Sequence, residues 1–146
     1  MRASEIMTTD PSCVTPETSL QDAAMLMKQQ DIGVVPVVEH DGSMRLVGML
    51  TDRDIAIRVV AEGRALAGAN VGHAMTSDVR SCREDAALDD VMKVMGDEQI
   101  RRVPIVNAEG DLVGIVAQAD VARRVDEQRA GRTVERISEP GGKHQS

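Results

Sequence analysis

An α/β (α+β) fold, built as a tandem repeat of two β-α-β-β-α units packed with pseudo-twofold symmetry, is predicted by three observations. The first is a duplication. Sliding the 146-residue chain by 68 places Met7-Thr8 on Met75-Thr76, Leu20 on Leu88, Met27 on Met95, Ile32 on Ile100, Val35-Pro36 on Val103-Pro104 and Gly42 on Gly110. The offset then drops to 66, because the first copy has two extra residues near Ser43-Met44-Arg45. From there Leu46-Val47-Gly48 meets Leu112-Val113-Gly114, and Asp54 meets Asp120. The second observation is that apolar spacing switches between helical and strand periods in the same order in both copies. The third is size: a unit of about 60 residues buries its apolar faces poorly alone, so two are expected to pack together.

The elements follow in chain order. Cys13 to Thr15 and its counterpart read as a short first strand. Behind Thr18-Ser19, the residues Leu20, Ala23, Ala24 and Met27 recur at i, i+3, i+4 and i+7, an amphipathic helix with a hydroxyl near its cap. Leu88, Val91, Met92 and Met95 repeat it behind Asp85. The run from Val34 to Val38 is β-branched and interrupted by Pro36, which cannot donate to a ladder, so this strand is expected at an edge or with the Pro near its start. Asp41-Gly42 and Glu109-Gly110 are turn signals, and Leu46 to Leu50 and Leu112 to Val116 form the next strands. Thr51 or Asp52 can cap a helix carrying Ile55, Val59 and Val60 that stops near Gly63. The Ala/Gly-rich segment from Ala61 to Gly72 reads as a linker, and the chain from about Arg129 onward is expected to fray.

Composition narrows the function. Apolar residues make up 42% of the chain, yet Phe, Tyr and Trp are absent and nine Met stand in for them. The core is therefore aliphatic and adaptable, and no aromatic face is available for stacking a base. The net charge of −7 repels phosphate backbones, so nucleic acid is not an expected partner. No apolar run approaches the roughly 18 residues of a membrane span, and MRASEIMTTD lacks a signal-peptide core, so a cytoplasmic protein with no membrane partner is expected. Cys13 and Cys82 are not placed at equivalent positions of the repeat, since Cys13 falls on position 81. They read as small buried side chains, with redox sensing by an exposed thiol as the alternative. The three His show no metal-ligand spacing, and no nucleophile, Walker or metal motif is present, so no enzymatic activity is expected.

The chemistry-bearing stretches are GMLTDRD at 48 to 54 and GIVAQAD at 114 to 120. Both put an Asp six places after a Gly; only the first keeps a hydroxyl, Thr51, where the second has Ala117. A carboxylate such as Asp54 at a helix start can accept two ribose hydroxyls, and the amides there favour phosphate. Alternatively, Thr51, Asp52 and Asp54 simply cap the helix. Ahead of the strand Pro, the first copy has Ile32-Gly33-Val34-Val35-Pro36 and the second Ile100-Arg101-Arg102-Val103-Pro104. Arg101 and Arg102, with Arg53 as a third candidate, suit phosphate oxygens; alternatively, the Arg pair forms solvated or dimer-interface ion pairs with the many acidic residues.

The stretches VTPETSLQDAAMLMKQQDIGVVPVV with LVGMLTDRDIA, and ALDDVMKVMGDEQIRRVPIV with LVGIVAQADVA, resemble a CBS-domain pair, or Bateman module, of the stand-alone bacterial type. The resemblance covers about residues 7 to 125 and implies CBS domains at 7–66 and 75–131 followed by a flexible tail at 132–146. It implies a cleft between the copies that binds an adenine nucleotide or related adenosyl ligand, such as AMP, ADP, ATP or S-adenosylmethionine, with no obligatory cofactor. Carried onto this chain, the Asp that takes ribose hydroxyls is Asp54, the hydroxyl near ribose or phosphate is Thr51, and the basic residues that meet phosphate are Arg101 and Arg102. The base would lie against Thr15 and Val34, Val35 and Pro36, with Pro104 and Asp120 as second-copy counterparts. Ala117 departs from the family pattern. The resemblance also implies a homodimer, a flat disc of two pairs, and output through a change of conformation or of an unidentified protein partner. The alternative is a stress-associated interaction module that binds no nucleotide.

Overall fold

The structure is a computed structural model and describes residues 1–138. In chain order the elements are helix α1 (Ala3–Ile6), strand β1 (Thr8–Thr9), helix α2 (Leu20–Gln30), strands β2 (Val34–Val38) and β3 (Leu46–Thr51), helix α3 (Asp52–Ile55), strand β4 (Cys82–Arg83), helix α4 (Leu88–Glu98), strands β5 (Arg102–Val106) and β6 (Leu112–Ala117), and helix α5 (Gln118–Ser138). A wide π-type turn, Ala56–Val60, prolongs α3, and a single 3-10 turn, Val71–His73, lies between the copies.

Local chemistry starts each element. Ser19 caps α2, its hydroxyl accepting the Asp22 N–H at 3.0 Å. Leu20, Ala23 and Met27 then turn one buried stripe inward. The helix ends at Asp31, in the left-handed region at φ 53, and α4 ends the same way at Gln99. The repeat is not kept at the N-cap of α4, which is Ala87, with no side-chain cap. Strands β2 and β3 pair antiparallel from Val34↔Thr51, and β5 and β6 from Arg102↔Ala117, each with a bulge at the same place.

Pro36 is the third residue of β2, not at its start, and β2 is an edge strand of the two-stranded β2–β3 sheet, as expected. The Val38 N–H donates to Val14 O at 2.8 Å, and residues two apart face the same way, so the Pro36 nitrogen also faces the Val14 segment. That segment pairs with β2 only at Val14, whose N–H donates to Pro36 O at 3.0 Å, so no ladder bond is lost.

The two copies trade their leading segments. The leader of copy one pairs with copy two: β1 lies antiparallel to β6 through Thr8↔Ile115 and Thr9↔Gly114. The leader of copy two pairs with copy one: Met49 and Thr76 exchange backbone bonds of 2.9 Å in both directions. The exchange is symmetric at each step. Ala3 donates to Ala86 O and Ser4 to Glu84 O, while Val71 donates to Thr18 O and Gly72 to Pro16 O. Two glycines permit these crossings. A Cβ on Gly48 would stand 2.6 Å from Thr76 O, and one on Gly114 would run into the Met7 side chain.

Each core is completed by the trade. Ala69, Val71 and Ala74 are buried with Val14, Leu20, Val35 and Leu50 of copy one; Ala3 is buried with Val91, Val103 and Val116 of copy two. The segment read as a linker therefore joins loosely only in its first part, since Ala69 and Val71 belong to a core. The axis relating the copies passes through the Arg45↔Asp111 bridge, where each residue pairs with its own repeat equivalent and Leu46 N–H to Gly110 O mirrors Leu112 N–H to Met44 O.

At the other end α5 continues through Gly131 to Ser138, past the expected boundary at residue 132. One glycine costs a helix only about 1 kcal/mol and does not stop it. The remainder of the expected tail, 139–146, lies outside the described residues.

Gly48→Ala is expected to destabilise the chain by about 1–3 kcal/mol in urea unfolding, because a backbone oxygen must move. Gly96→Ala, on the open face of α4 with nothing within 4 Å of the added Cβ, is expected to stabilise it by about 0.5–1 kcal/mol.

Candidate functional site

A cleft of about 760 Å³ lies between the copies, a volume suited to a small-molecule ligand. Copy one supplies the end of α2 and start of β2 (Ile32, Gly33, Val34) and the β3–α3 corner (Thr51, Asp52, Arg53, Asp54). Copy two supplies Ile100, Arg101, Arg102 and Pro104. Its leader adds Thr76, Asp78, Val79 and Arg80, so the exchanged segment forms part of the wall.

The β3–α3 corner is a reciprocal capping box. Thr51 Oγ1 accepts the Asp54 N–H at 2.9 Å, and Asp54 Oδ2 accepts the Thr51 N–H at 3.0 Å. The capping role considered from the sequence is therefore present. It leaves chemistry over: the Thr51 hydroxyl proton can still donate, and Asp54 Oδ1 accepts no hydrogen bond among the described residues. Copy two keeps half of this device. Asp120 Oδ2 accepts the Ala117 N–H at 3.3 Å, but there is no hydroxyl to return the bond, and Asp120 Oδ1 is held by Arg123 Nη2 at 2.8 Å.

The structure thus brings Val34, Thr51, Arg53, Asp54, Arg101, Arg102 and Pro104 to one cleft. Four other candidates lie elsewhere. Asp120 sits at the equivalent corner of copy two, bound to Arg123. Thr15 is engaged with Thr18, its N–H donating to Thr18 Oγ1 at 3.0 Å. Val35 and Pro36 are fully buried, Val35 because alternate strand residues face the core. Arg53, Arg101 and Arg102 form no ion pair among the described residues. Four charged residues of the cleft escaped the sequence reading: Asp31, Asp78, Arg80 and Glu98. Their signal was faint, since it required knowing that the second leader crosses to copy one.

Aliphatic side chains, Ile32, Val34, Met49, Val79 and Ile100, supply the apolar surface. Neither His nor Cys lines the cleft. Both thiols lie apart from it, and burial pushes Cys13 and Cys82 above the ordinary thiol value, which keeps both protonated near neutral pH. Cys82 occupies the buried strand position that Val14 holds in copy one, as their matching parallel pairings with Ile105 and Val37 show.

A family model described as the CBS domain matches residues 3–61 and again 71–127. The chain belongs to the CBS-domain family. It is 42% identical to the CBS domain-containing protein YhcV of Bacillus subtilis over 92% of this chain and 93% of that protein. It is 37% identical to hypoxic response protein 1 of Mycobacterium tuberculosis over 94% of both. Among solved structures, hypoxic response protein I with two coordinated zinc ions superposes with a TM-score of 0.77 at 37% identity, over 84% of this chain and 98% of that one. CBSX2 in complex with AMP gives 0.74 at 26% identity, over 86% and 97%. The CBS pair of MJ0100 with 5-methylthioadenosine and S-adenosyl-L-methionine gives 0.73 at 26%, over 88% and 98%. Among the described residues of this CBS pair, no group of three or more His, Cys, Asp or Glu side chains is placed to hold a metal ion, and no helix is long and apolar enough to cross a membrane.

Thr51→Ala is expected to destabilise the pair by about 1 kcal/mol through loss of the cap. Asp54→Asn, which keeps an acceptor oxygen for the Thr51 N–H, is expected to cost less. Thermal unfolding of the two variants side by side checks the order.

Proposed function

We propose that this CBS pair is a non-catalytic regulatory module that binds an adenine nucleotide or other adenosyl ligand in the cleft between its two copies. The observation that carries this reading is the meeting, in one cleft, of Thr51 and Asp54 from copy one with Arg101 and Arg102 from copy two. Asp54 Oδ1 has the free lone pairs to accept ribose hydroxyls, and the Thr51 hydroxyl can donate to a ribose or phosphate oxygen. Arg53, Arg101 and Arg102 supply planar donors for phosphate. The base would rest between aliphatic side chains such as Ile32, Val34 and Ile100 and main-chain groups. AMP, ADP, ATP and S-adenosylmethionine are the candidate ligands. The AMP complex of CBSX2 and the S-adenosyl-L-methionine complex of MJ0100 support this class. A regulatory rather than catalytic role is supported by the family match, which is to the CBS domain alone over both copies.

Titration calorimetry of the four ligands is expected to give saturable heat near one site per chain for at least one of them. A dissociation constant that is micromolar or weaker suits a site without aromatic stacking. Asp54→Asn should weaken that binding by about tenfold or more, since a carboxylate acceptor becomes a neutral one. Heat from none of the four, with a normally folded protein, overturns the reading and leaves the interaction module.

A homodimer is proposed on a separate observation. Met25 and Met92, on α2 and α4, and Ile57 and Val60 after α3, are exposed large apolar side chains. Sedimentation equilibrium is expected to give twice the 15.7 kDa chain mass. A monomer at tens of micromolar would remove this proposal without touching the ligand site.

A further inference from the structure

The cleft holds a fourth arginine. Arg80 lies in the leader of copy two and reaches across to the end of α4, with Nη1 3.3 Å from Glu98 Oε1 and 3.6 Å from Asp97 Oδ2. Arg80 and Glu98 both line the cleft, beside Arg101 and Arg102. Their side chains are 49% and 43% exposed, so this is a solvated, weak ion pair.

The duplication shows what the fold itself requires at this place. The residues 68 positions earlier are Ser12 and Gln30, and they too are joined: Gln30 Nε2 donates to Ser12 Oγ at 2.6 Å. The scaffold thus ties the leader to the helix end in both copies, and a neutral bond suffices in copy one. The charge at Arg80 is surplus to that task. It appears only in the copy whose tie opens into the cleft; Ser12 and Gln30 do not line it.

We infer that Arg80 is a specificity-determining residue of the cleft, which takes the phosphate of a bound adenosine nucleotide, and that Glu98 competes with the ligand for it. The inference rests on the adenosyl-ligand reading and sharpens it to the phosphorylated members. A guanidinium that exchanges a carboxylate, held here through Nη1 alone, for a phosphate can gain two-point hydrogen bonding and meets a larger negative charge. Breaking a half-exposed pair to do so is cheap, and the Glu98 left behind remains solvated. Adenosine offers Arg80 no such exchange.

The experiment is calorimetric titration of AMP and of adenosine into the full chain and into Arg80→Ser, Glu98→Gln and the double variant. The double variant recreates the Ser12–Gln30 pair, so the tie, and with it the fold, is kept. AMP is expected to bind about tenfold more weakly to Arg80→Ser, with adenosine unchanged. Glu98→Gln is expected to tighten AMP about threefold, and to have no effect on AMP once Arg80 is Ser. Wild-type affinity for AMP in Arg80→Ser overturns the inference. So does equal tightening by Glu98→Gln with and without Arg80, which would be a general effect of removing a negative charge, or an equal loss of adenosine and AMP, which would make Arg80 purely structural. In each of these cases AMP binding by the unaltered chain stands. A wild-type chain that takes up neither AMP nor adenosine fails at the earlier step, the ligand reading itself, and removes the inference with it.

Discussion

The exchange of leading segments is the constraint on which the rest depends. Val71 and Ala74 are fully buried in the core of copy one although they precede copy two, and Ala3 is fully buried in the core of copy two although it opens copy one. Neither core closes without the other copy's leader. Arg58 adds a clamp, with Nη1 donating to Ala74 O and Met75 O at 3.1 and 2.9 Å. Such mutual completion couples the two halves into one cooperative unit. It also explains the glycine that opens each signature stretch. Gly48 and Gly114 are required by a crossing backbone or side chain and not by a ligand.

Because the leaders cross, a wall of the cleft is made from both copies, and near-identical scaffolds can be dressed differently. Gly33 and Arg101 are equivalents: Gly33 O accepts from Asp52 N–H at 3.0 Å and Arg101 O from Gln118 N–H at 2.7 Å. The backbone role is the same, so the side chain was free to change. In copy one glycine keeps clear of the Asp52 carboxylate, which a Cβ would approach to 3.2 Å; in copy two a guanidinium reaches the cleft. The loss of Thr at position 117 and the Arg123 hold on Asp120 point the same way. One corner keeps free acceptor and donor groups, and the other consumes them internally.

Much of this was legible in the sequence. The offset of 68 followed by 66 carries one strand register onto the other, since Val34↔Thr51 becomes Arg102↔Ala117 under those two shifts. Thr51, Arg101 and Arg102 stand out because the copies differ there, and Asp54 because Asp120 recurs while its neighbours do not. The exchange was not legible: Met7-Thr8 aligns with Met75-Thr76 whichever copy each packs against. Hence Arg80 was passed over, and a segment with two core residues was read as linker. Thr15 and Val35 lie off the cleft for a different reason. Strand alternation turns Val35 into the core and a local bond holds Thr15 to Thr18, and family position alone does not specify that. The helical stretch beyond Arg129 is not legible because apolar periodicity fades there, while the helix itself runs on to Ser138.

The absence of aromatic rings has a consequence for how such a cleft can discriminate. Aliphatic side chains offer contact area but little orientation, because they lack the fixed quadrupole of a ring. Selection must then come from the polar groups: two hydroxyls, one side-chain amide and four guanidinium groups set among five carboxylates. Most of these are exposed or half-exposed, where interactions between charges are screened by salt. A ligand recognised this way is distinguished mainly by the number and position of its negative charges. The same scaffold therefore changes ligand by exchanging charged residues for neutral ones at equivalent places, as Ser12 and Gln30 against Arg80 and Glu98 already illustrate.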